Sequence, residues 1–132
     1  MQQKMEKVST DIFRYVELGL IKPFDVALYV KYLELFNPNQ AYAYPTIYQL
    51  ELLLNCSRQN IVTANKRLEQ AGLLIIKKHK NNDNIYFPLQ PHCKEELYKQ
   101  VPDLFLKFEK RKESIESKVV MDKVRLEDLF ES

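Results

Sequence analysis

The stretch from Thr46 to Gly72, TIYQLELLLNCSRQNIVTANKRLEQAG, carries start and stop signals for two helices joined by a short turn. Thr46, followed three residues later by Gln49, matches a capping box, which begins a helix. Asn55 stands where the chain must turn sharply, and asparagine enters the left-handed backbone region more readily than most side chains. Ser57 is a good N-cap for the second helix, which Gly72 ends. The pattern predicts a helix-turn-helix.

The flanking segments extend this prediction to a whole domain. Ile21–Asn37 has a broad apolar helical stripe and a proline at a first-turn position, so we expect a central helix there. Leu73–His79 and Ile85–Leu89 are rich in β-formers and enclose a polar turn, which indicates a β-hairpin. Thr10–Leu18 alternates weakly and is expected to be a short strand or the end of an arm.

The predicted fold is mainly α with a β-hairpin wing, a winged helix-turn-helix in residues 1–91. Residues 92–132 read as a C-terminal helical extension, interrupted at Pro102, which is expected to start a new helix. An apolar stripe in this extension fits either packing on the same domain or dimerisation, and both uses stay open. The stripe consists of Leu97, Val101, Leu104, Phe105 and Phe108.

The second helix of the helix-turn-helix has two different faces. Ile61, Ala64, Leu68 and Ala71 follow the helical period and are expected to pack on the preceding helices. The opposite face is free of carboxylates. It consists of Gln59, Thr63, Lys66 and Gln70, flanked by Asn60, Val62 and Arg67.

Positive charge is concentrated in this region. The whole chain has a formal net charge of only +2, yet residues 55–84 contain six Lys and Arg against two acidic residues. The segments before and after are each slightly negative. A local basic patch of this kind is the electrostatic footprint of a nucleic-acid-binding surface.

The side chains on this patch suit double-stranded DNA. Arg can contact guanine and Asn or Gln can contact adenine in the major groove, where Val62 or Thr63 could touch a thymine methyl. Lys66 and Arg67 would reach phosphates, and the hairpin tip would lie on the flanking backbone or in the minor groove. The alternatives are an ordinary solvated helix and a surface for protein contacts. The candidate DNA-binding residues are Arg58, Gln59, Asn60, Val62, Thr63, Lys66, Arg67, Lys78, His79, Lys80 and Asn82.

Other chemistry finds little support in the sequence. Cys56, Cys93 and the two histidines lack zinc-ligand spacing, and two glycines cannot form a Gly-rich phosphate loop. Nucleophile and metalloprotease motifs are missing, so we expect no enzyme, no metal and no cofactor. The N-terminus has no apolar signal region and no run is long enough to span a membrane, which favours a cytoplasmic protein. Tyr42, Tyr44 and Tyr48 could stack on single strands, but packing is the preferred interpretation.

Ile21–Ile76 resembles the winged helix-turn-helix domain of bacterial plasmid and phage replication initiators and of DnaD-like primosome proteins. Its second half is also similar to MarR-type regulators. The resemblance implies DNA binding through the helix that begins after Ser57, in replication initiation or its control, with transcriptional repression as the alternative. Asn55-Cys56 replaces the Gly-Val that is usual in the family. The residues that match the family pattern are Pro45, Thr46, Leu50, Ser57, Arg58, Leu68, Glu69, Gly72 and Leu73.

The last residues partly resemble the motif with which bacterial proteins bind the sliding clamp. Asp128, Leu129 and Phe130 match the end of that motif, whereas Leu126 and Glu127 depart from it. Leu129 and Phe130 are therefore candidate contacts to a replication protein, against the alternative of a terminal helix that packs or frays.

Overall fold

A computed structural model of the 132-residue chain describes residues 8–79 and 83–131. Two compact units are present, divided between Lys94 and Glu95. The order of elements is α1 (Ile12–Glu17), α2 (Pro23–Leu35), α3 (Ile47–Leu54), α4 (Arg58–Gln70), β1 (Leu74–Lys78), β2 (Asn84–Pro88), α5 (Lys94–Gln100) and α6 (Pro102–Glu131).

The first element, α1, corrects the expectation of a strand or an arm. Ile12, Tyr15 and Leu18 lie three residues apart and are all buried, as one face of a helix requires. Gly19, with φ of +76°, then reverses the chain. The prediction was wrong because a helix of six residues shows too few turns for its period to stand out from an alternating pattern.

The predicted helix-turn-helix is present with its caps. The Thr46 side chain accepts a hydrogen bond from the Gln49 amide at 3.1 Å, and the Gln49 side chain accepts one from the Thr46 amide at 2.8 Å. Asn55 adopts the left-handed conformation with φ of 48°. The Ser57 hydroxyl accepts from the Asn60 amide and begins α4, and Gly72 follows its end with φ of +77°. Local polar side chains therefore fix the length of both helices.

The hairpin is the wing of this fold. Strands β1 and β2 pair antiparallel with Ile76 opposite Tyr86, and the first strand ends where the His79 amide donates to the Asp83 carbonyl at 2.7 Å. The loop between α2 and α3 joins the sheet, because Ala43 and Tyr86 exchange two backbone hydrogen bonds of 2.9 and 2.8 Å. The architecture is a winged helix-turn-helix, as predicted.

The core of the first unit is built on tyrosines as well as aliphatic residues. Tyr32 stacks on Tyr86 with ring centroids 4.4 Å apart, which joins α2 to the wing. The Tyr29 hydroxyl donates to the Leu89 carbonyl at 2.7 Å, and the Tyr15 hydroxyl accepts from the His92 amide at 2.9 Å. Tyr29 and Tyr15 thus each satisfy their polar end with a partner distant in sequence.

The second unit contains α5 and α6, and Pro102 begins α6 as predicted. The rings of Tyr98 and Phe105 stack at 4.1 Å between the two helices. From residue 110 to residue 130 every side chain of α6 is exposed, including Leu129 at 65% and Phe130 at 88%. Contact of these two residues with a replication protein stays a prediction. Among the described residues, none of the helices combines the length and apolar character needed to cross a bilayer.

Candidate nucleic-acid interface

Helix α4 is held by its inner face. Ile61, Ala64 and Leu68 are fully buried against the helices that precede them, in agreement with the predicted packing face. Asn65 lies on the same side, where its side-chain carbonyl accepts a hydrogen bond of 2.7 Å from the Tyr32 hydroxyl. Burial raises the pKa of Tyr32 above its ordinary value, so the hydroxyl keeps its proton and remains a donor.

A buried ion pair fixes the same helix near its C-terminus. The Arg67 Nε and Nη2 atoms donate to the two carboxylate oxygens of Asp25 at 2.6 and 2.8 Å. Asp25 is completely buried and also accepts from the Lys22 amide at 2.8 Å, which closes the first turn of α2. These contacts raise the pKa of the Arg67 guanidinium, chiefly through the hydrogen bond.

The ion pair gives Arg67 a role that the sequence did not indicate. Sequence reasoning assigned this residue to DNA phosphates, but its planar fork is already matched to Asp25, and only a quarter of its side chain is exposed. The phosphate contact is untested.

The outermost strip of α4 consists of Gln59, Thr63, Lys66 and Gln70, which we call the outer strip. These positions lie on the side opposite Ile61 and Leu68 by the helical period. Within the strip, the Gln59 amide nitrogen donates to the Thr63 hydroxyl at 3.1 Å, while Lys66 is exposed. The strip offers amide, hydroxyl and ammonium groups and no carboxylate.

Residues beside the outer strip complete its border. Arg58 and Val62 follow one edge together with Glu69, which is exposed. Asn60 lies on the other edge with its side chain exposed, while its backbone amide is used by Ser57. Glu69 is therefore the one carboxylate within α4, and it lies in the last turn of the helix, away from the N-terminal residues.

The wing brings two further candidates next to the helix-turn-helix. Lys78 and His79 are exposed at the end of β1, and the ring of His79 lies 5.9 Å from that of Tyr42. The neighbouring Lys77 amine stands 5.8 Å over the ring of Phe87. Lys80 and Asn82 were also predicted to contact DNA, and they lie outside the described residues.

A cleft of about 690 Å³ separates the wing from the helix-turn-helix. Arg58 and Lys78 both line it, so two predicted cations from different elements meet in one depression. Tyr44 and Tyr48 line it too and are 57% and 77% exposed. Tyr48 therefore does not pack in the core, whereas Tyr44 keeps an edge contact with Tyr42, with ring centroids 6.1 Å apart. Asp83 is the carboxylate on the lining of this cleft.

Cys56 lies in the turn before α4. Its side chain is half-buried and its amide donates to the Glu51 carbonyl at 3.1 Å. Burial raises the pKa of the Cys56 thiol, which disfavours the reactive thiolate form. Within residues 8–79 and 83–131, no cluster of histidine, cysteine and carboxylate side chains is arranged to hold a metal ion.

Comparison with known proteins finds similarity at the level of structure. No protein-family model and no curated protein sequence matches the chain. A solved structure of a Rep–DNA complex superposes with a TM-score of 0.56 at 21% identity, over 76% of this chain and 85% of that one. The N-terminal domain of a DNA-binding protein gives 0.50 at 19% identity, with the same coverage. At such identities the shared property is the fold.

Proposed function

We propose that this chain binds double-stranded DNA, with the N-terminal half of α4 in the major groove. The observation that carries the proposal is the outer strip, which is polar and cationic and lies on a helix anchored from its inner side. Amide and guanidinium groups such as Gln59 and Arg58 can form paired hydrogen bonds with adenine and guanine edges. A recognition helix needs this combination of a fixed backbone and polar groups on its outer side.

The wing supports the same docking. With α4 in the groove, Lys78 and His79 would approach the sugar-phosphate backbone beside it, as the cleft between wing and helix holds cations on both walls. Such contacts set orientation and contribute affinity that does not depend on sequence. The net charge of the segment from residue 55 to residue 84 has the sign that this requires.

The proposed role is initiation of plasmid or phage replication, or its control, in the cytoplasm. Support comes from the sequence resemblance and from the shared fold with a Rep protein that was solved on DNA. The same surface would serve a transcriptional repressor, which differs in the DNA site and in partners. Sequencing of fragments that the protein selects from its source genome separates the two: iterated repeats at an origin favour initiation, and a promoter palindrome favours repression.

The salt dependence of binding tests the proposal itself. Fluorescence anisotropy with a selected duplex should give a log–log slope of about −0.9 for each phosphate contacted. Affinity that does not change with salt, or a lack of DNA binding at low salt, would instead favour a winged-helix module that binds proteins.

Substitutions then distinguish residues that contact bases from residues that contact phosphates. Arg58→Ala should reduce discrimination between sites by about 1–3 kcal/mol if the guanidinium reads a base. Lys66→Ala and Lys78→Ala should weaken binding to every duplex alike and flatten the salt slope by about 0.9 each. Arg14→Ala is the matched control, because it removes one cation from α1, where Arg14 pairs with Glu17 at the surface. Equal losses in all four variants would refute the docking.

A further inference from the structure

Helix α6 carries a seam of side chains with coiled-coil spacing. From residue 108 the seam positions alternate between steps of four and three residues, the spacing that keeps one face toward a partner helix. Ile115, Val119 and Leu126 on this seam are 43%, 45% and 53% exposed, although apolar side chains of this kind are normally covered. The seam consists of Phe108, Lys112, Ile115, Val119, Asp122 and Leu126.

The seam is symmetric about residue 117. Reversing its direction places Phe108 on the position of Leu126, and Ile115 on that of Val119. The same reversal places Lys112 on the position of Asp122. An apolar position therefore always meets an apolar one, and the one cation of the seam meets its one carboxylate. Because antiparallel helices pair residues that lie equally far on either side of a centre, the seam is complementary to a reversed copy of itself.

We propose that α6 pairs antiparallel with α6 of a second copy of this chain, with two-fold symmetry at residue 117. Each Lys112 then faces Asp122 of the other copy, and the two ion pairs enclose a central apolar layer of Ile115 and Val119. The paired segment from residue 108 to residue 126 is about 28 Å long at a rise of about 1.5 Å per residue. This inference does not depend on the proposed function, because it rests on α6 alone.

Charge selects this direction over a parallel one. A parallel pair in register would place Lys112 against Lys112 and Asp122 against Asp122 inside the seam, where like charges are costly. In the single chain these groups have only exposed partners within the helix, Glu116 at 4.0 Å from Lys112 and Arg125 at 2.6 Å from Asp122. Exposed pairs of this kind contribute little, so they can rearrange when a second helix arrives.

The residues that border the seam make both attractive and repulsive contacts in this pairing. Glu109 would lie near Lys123 of the other copy, which is attractive. Arg111 would lie near Arg125 of the other copy, which is repulsive. Lys118 and Glu116 each meet their own symmetry mates near the centre, one repulsive contact on each side. These exposed contacts are screened by salt, whereas a pair covered by the interface is screened much less. We therefore expect the seam residues to determine that the two α6 helices pair antiparallel.

Charge reversal in the full-length chain tests the proposal. Sedimentation equilibrium should show a dimer for the wild type. Lys112→Glu and Asp122→Lys should each raise the dimer dissociation constant by about tenfold or more, because each creates two like-charge contacts. The double variant restores both pairs in reversed order and should dimerise like the wild type. Circular dichroism of each variant separates loss of pairing from loss of helix.

Cysteine cross-linking reads the direction independently. In a background with Cys56 and Cys93 replaced by serine, a mixture of Ile115→Cys and Val119→Cys chains should form a mixed disulfide faster than either chain alone. Glu113→Cys, on the opposite side of α6, is the control and should cross-link slowly. Faster coupling of Ile115→Cys to itself would show parallel pairing and overturn the proposal. A wild type that stays monomeric would do the same, as would a double variant no better than the singles.

Discussion

The ion pair between Arg67 and Asp25 makes a prediction about how α4 is held. Replacing Arg67 by methionine keeps a long side chain and removes the guanidinium. Asp25, which is completely buried, then keeps the Lys22 amide as a donor and loses the two hydrogen bonds of the fork. Its carboxylate must remain charged without a counter-ion or take up a proton, and either outcome costs free energy of folding.

The size of the loss follows from the burial of the two partners. Removing one member of a buried ion pair typically costs about 3–5 kcal/mol. Arg67 is a quarter exposed, so water can enter the space that it leaves, and we expect a loss near the lower end, about 2–4 kcal/mol for Arg67→Met. Asp25→Asn should cost less, about 1–2 kcal/mol, because the uncovered guanidinium can turn to water.

A double-mutant cycle measures the coupling. Urea unfolding of the wild type, Arg67→Met, Asp25→Asn and the double variant should give a coupling energy of about 1–3 kcal/mol. Lys66→Met is the matched control, since it removes the adjacent cation from the exposed side of the same helix, and it should change stability by less than about 0.5 kcal/mol. Unchanged m-values would show that the denatured state is the same in all variants.

Two results would refute this reasoning. If Arg67→Met unfolds at the same urea concentration as the control, the ion pair does not hold the helix. If the folded Arg67→Met variant binds DNA with a flatter salt slope than the wild type, the guanidinium contacts a phosphate after all. An unchanged salt slope would mean that Arg67 holds α4 in place and does not contact DNA.

Three further predictions concern the hydrogen bonds and backbone of the same unit. Tyr32→Phe leaves the buried Asn65 carbonyl without its donor and should cost about 1–3 kcal/mol in urea unfolding, more than any change in ring stacking. Asn55→Ala should cost about 1–2 kcal/mol because alanine resists a φ of 48°, whereas Asn55→Gly should be neutral or slightly stabilising; equal losses would contradict this. Burial raises the pKa of the Tyr29 hydroxyl from 10.0 to about 12. The contribution of this group to the free energy of unfolding is therefore complete below pH 10 and is lost as the pH rises through 12. At about 1.36 kcal/mol per pKa unit, the loss is on the order of 2 kcal/mol, and Tyr29→Phe should show a correspondingly smaller decline in alkaline urea titrations.

The parts of this fold that the sequence predicted are those that short-range chemistry determines. Thr46 and Gln49 exchange hydrogen bonds within one turn, and Asn55 needs only its own backbone angles to make the bend. The hairpin and the start of α6 at Pro102 follow from signals of the same short range. α1 shows the limit of such signals, since six residues do not display a period.

The parts that the sequence did not predict depend on contacts between distant residues. Asp25 and Arg67 are separated by 42 positions, and nothing in the local pattern of α2 shows that a carboxylate in its first turn is buried. Tyr44 and Tyr48 were assigned to packing because aromatic residues usually pack. In the structure Leu50 alone is buried on α3, and Tyr48 is exposed because it falls on another side of that helix.

The anchoring of α4 from one side has a consequence for how such a protein can evolve. Its inner residues, Ile61, Leu68 and Arg67, carry the contacts that keep the backbone in place, while Gln59 and Lys66 can change without disturbing any of them. Within this single helix, the residues that hold the fold are therefore different from the residues that would determine specificity. A lineage could acquire new target sites by substitutions on one side of α4 while its backbone stayed the same.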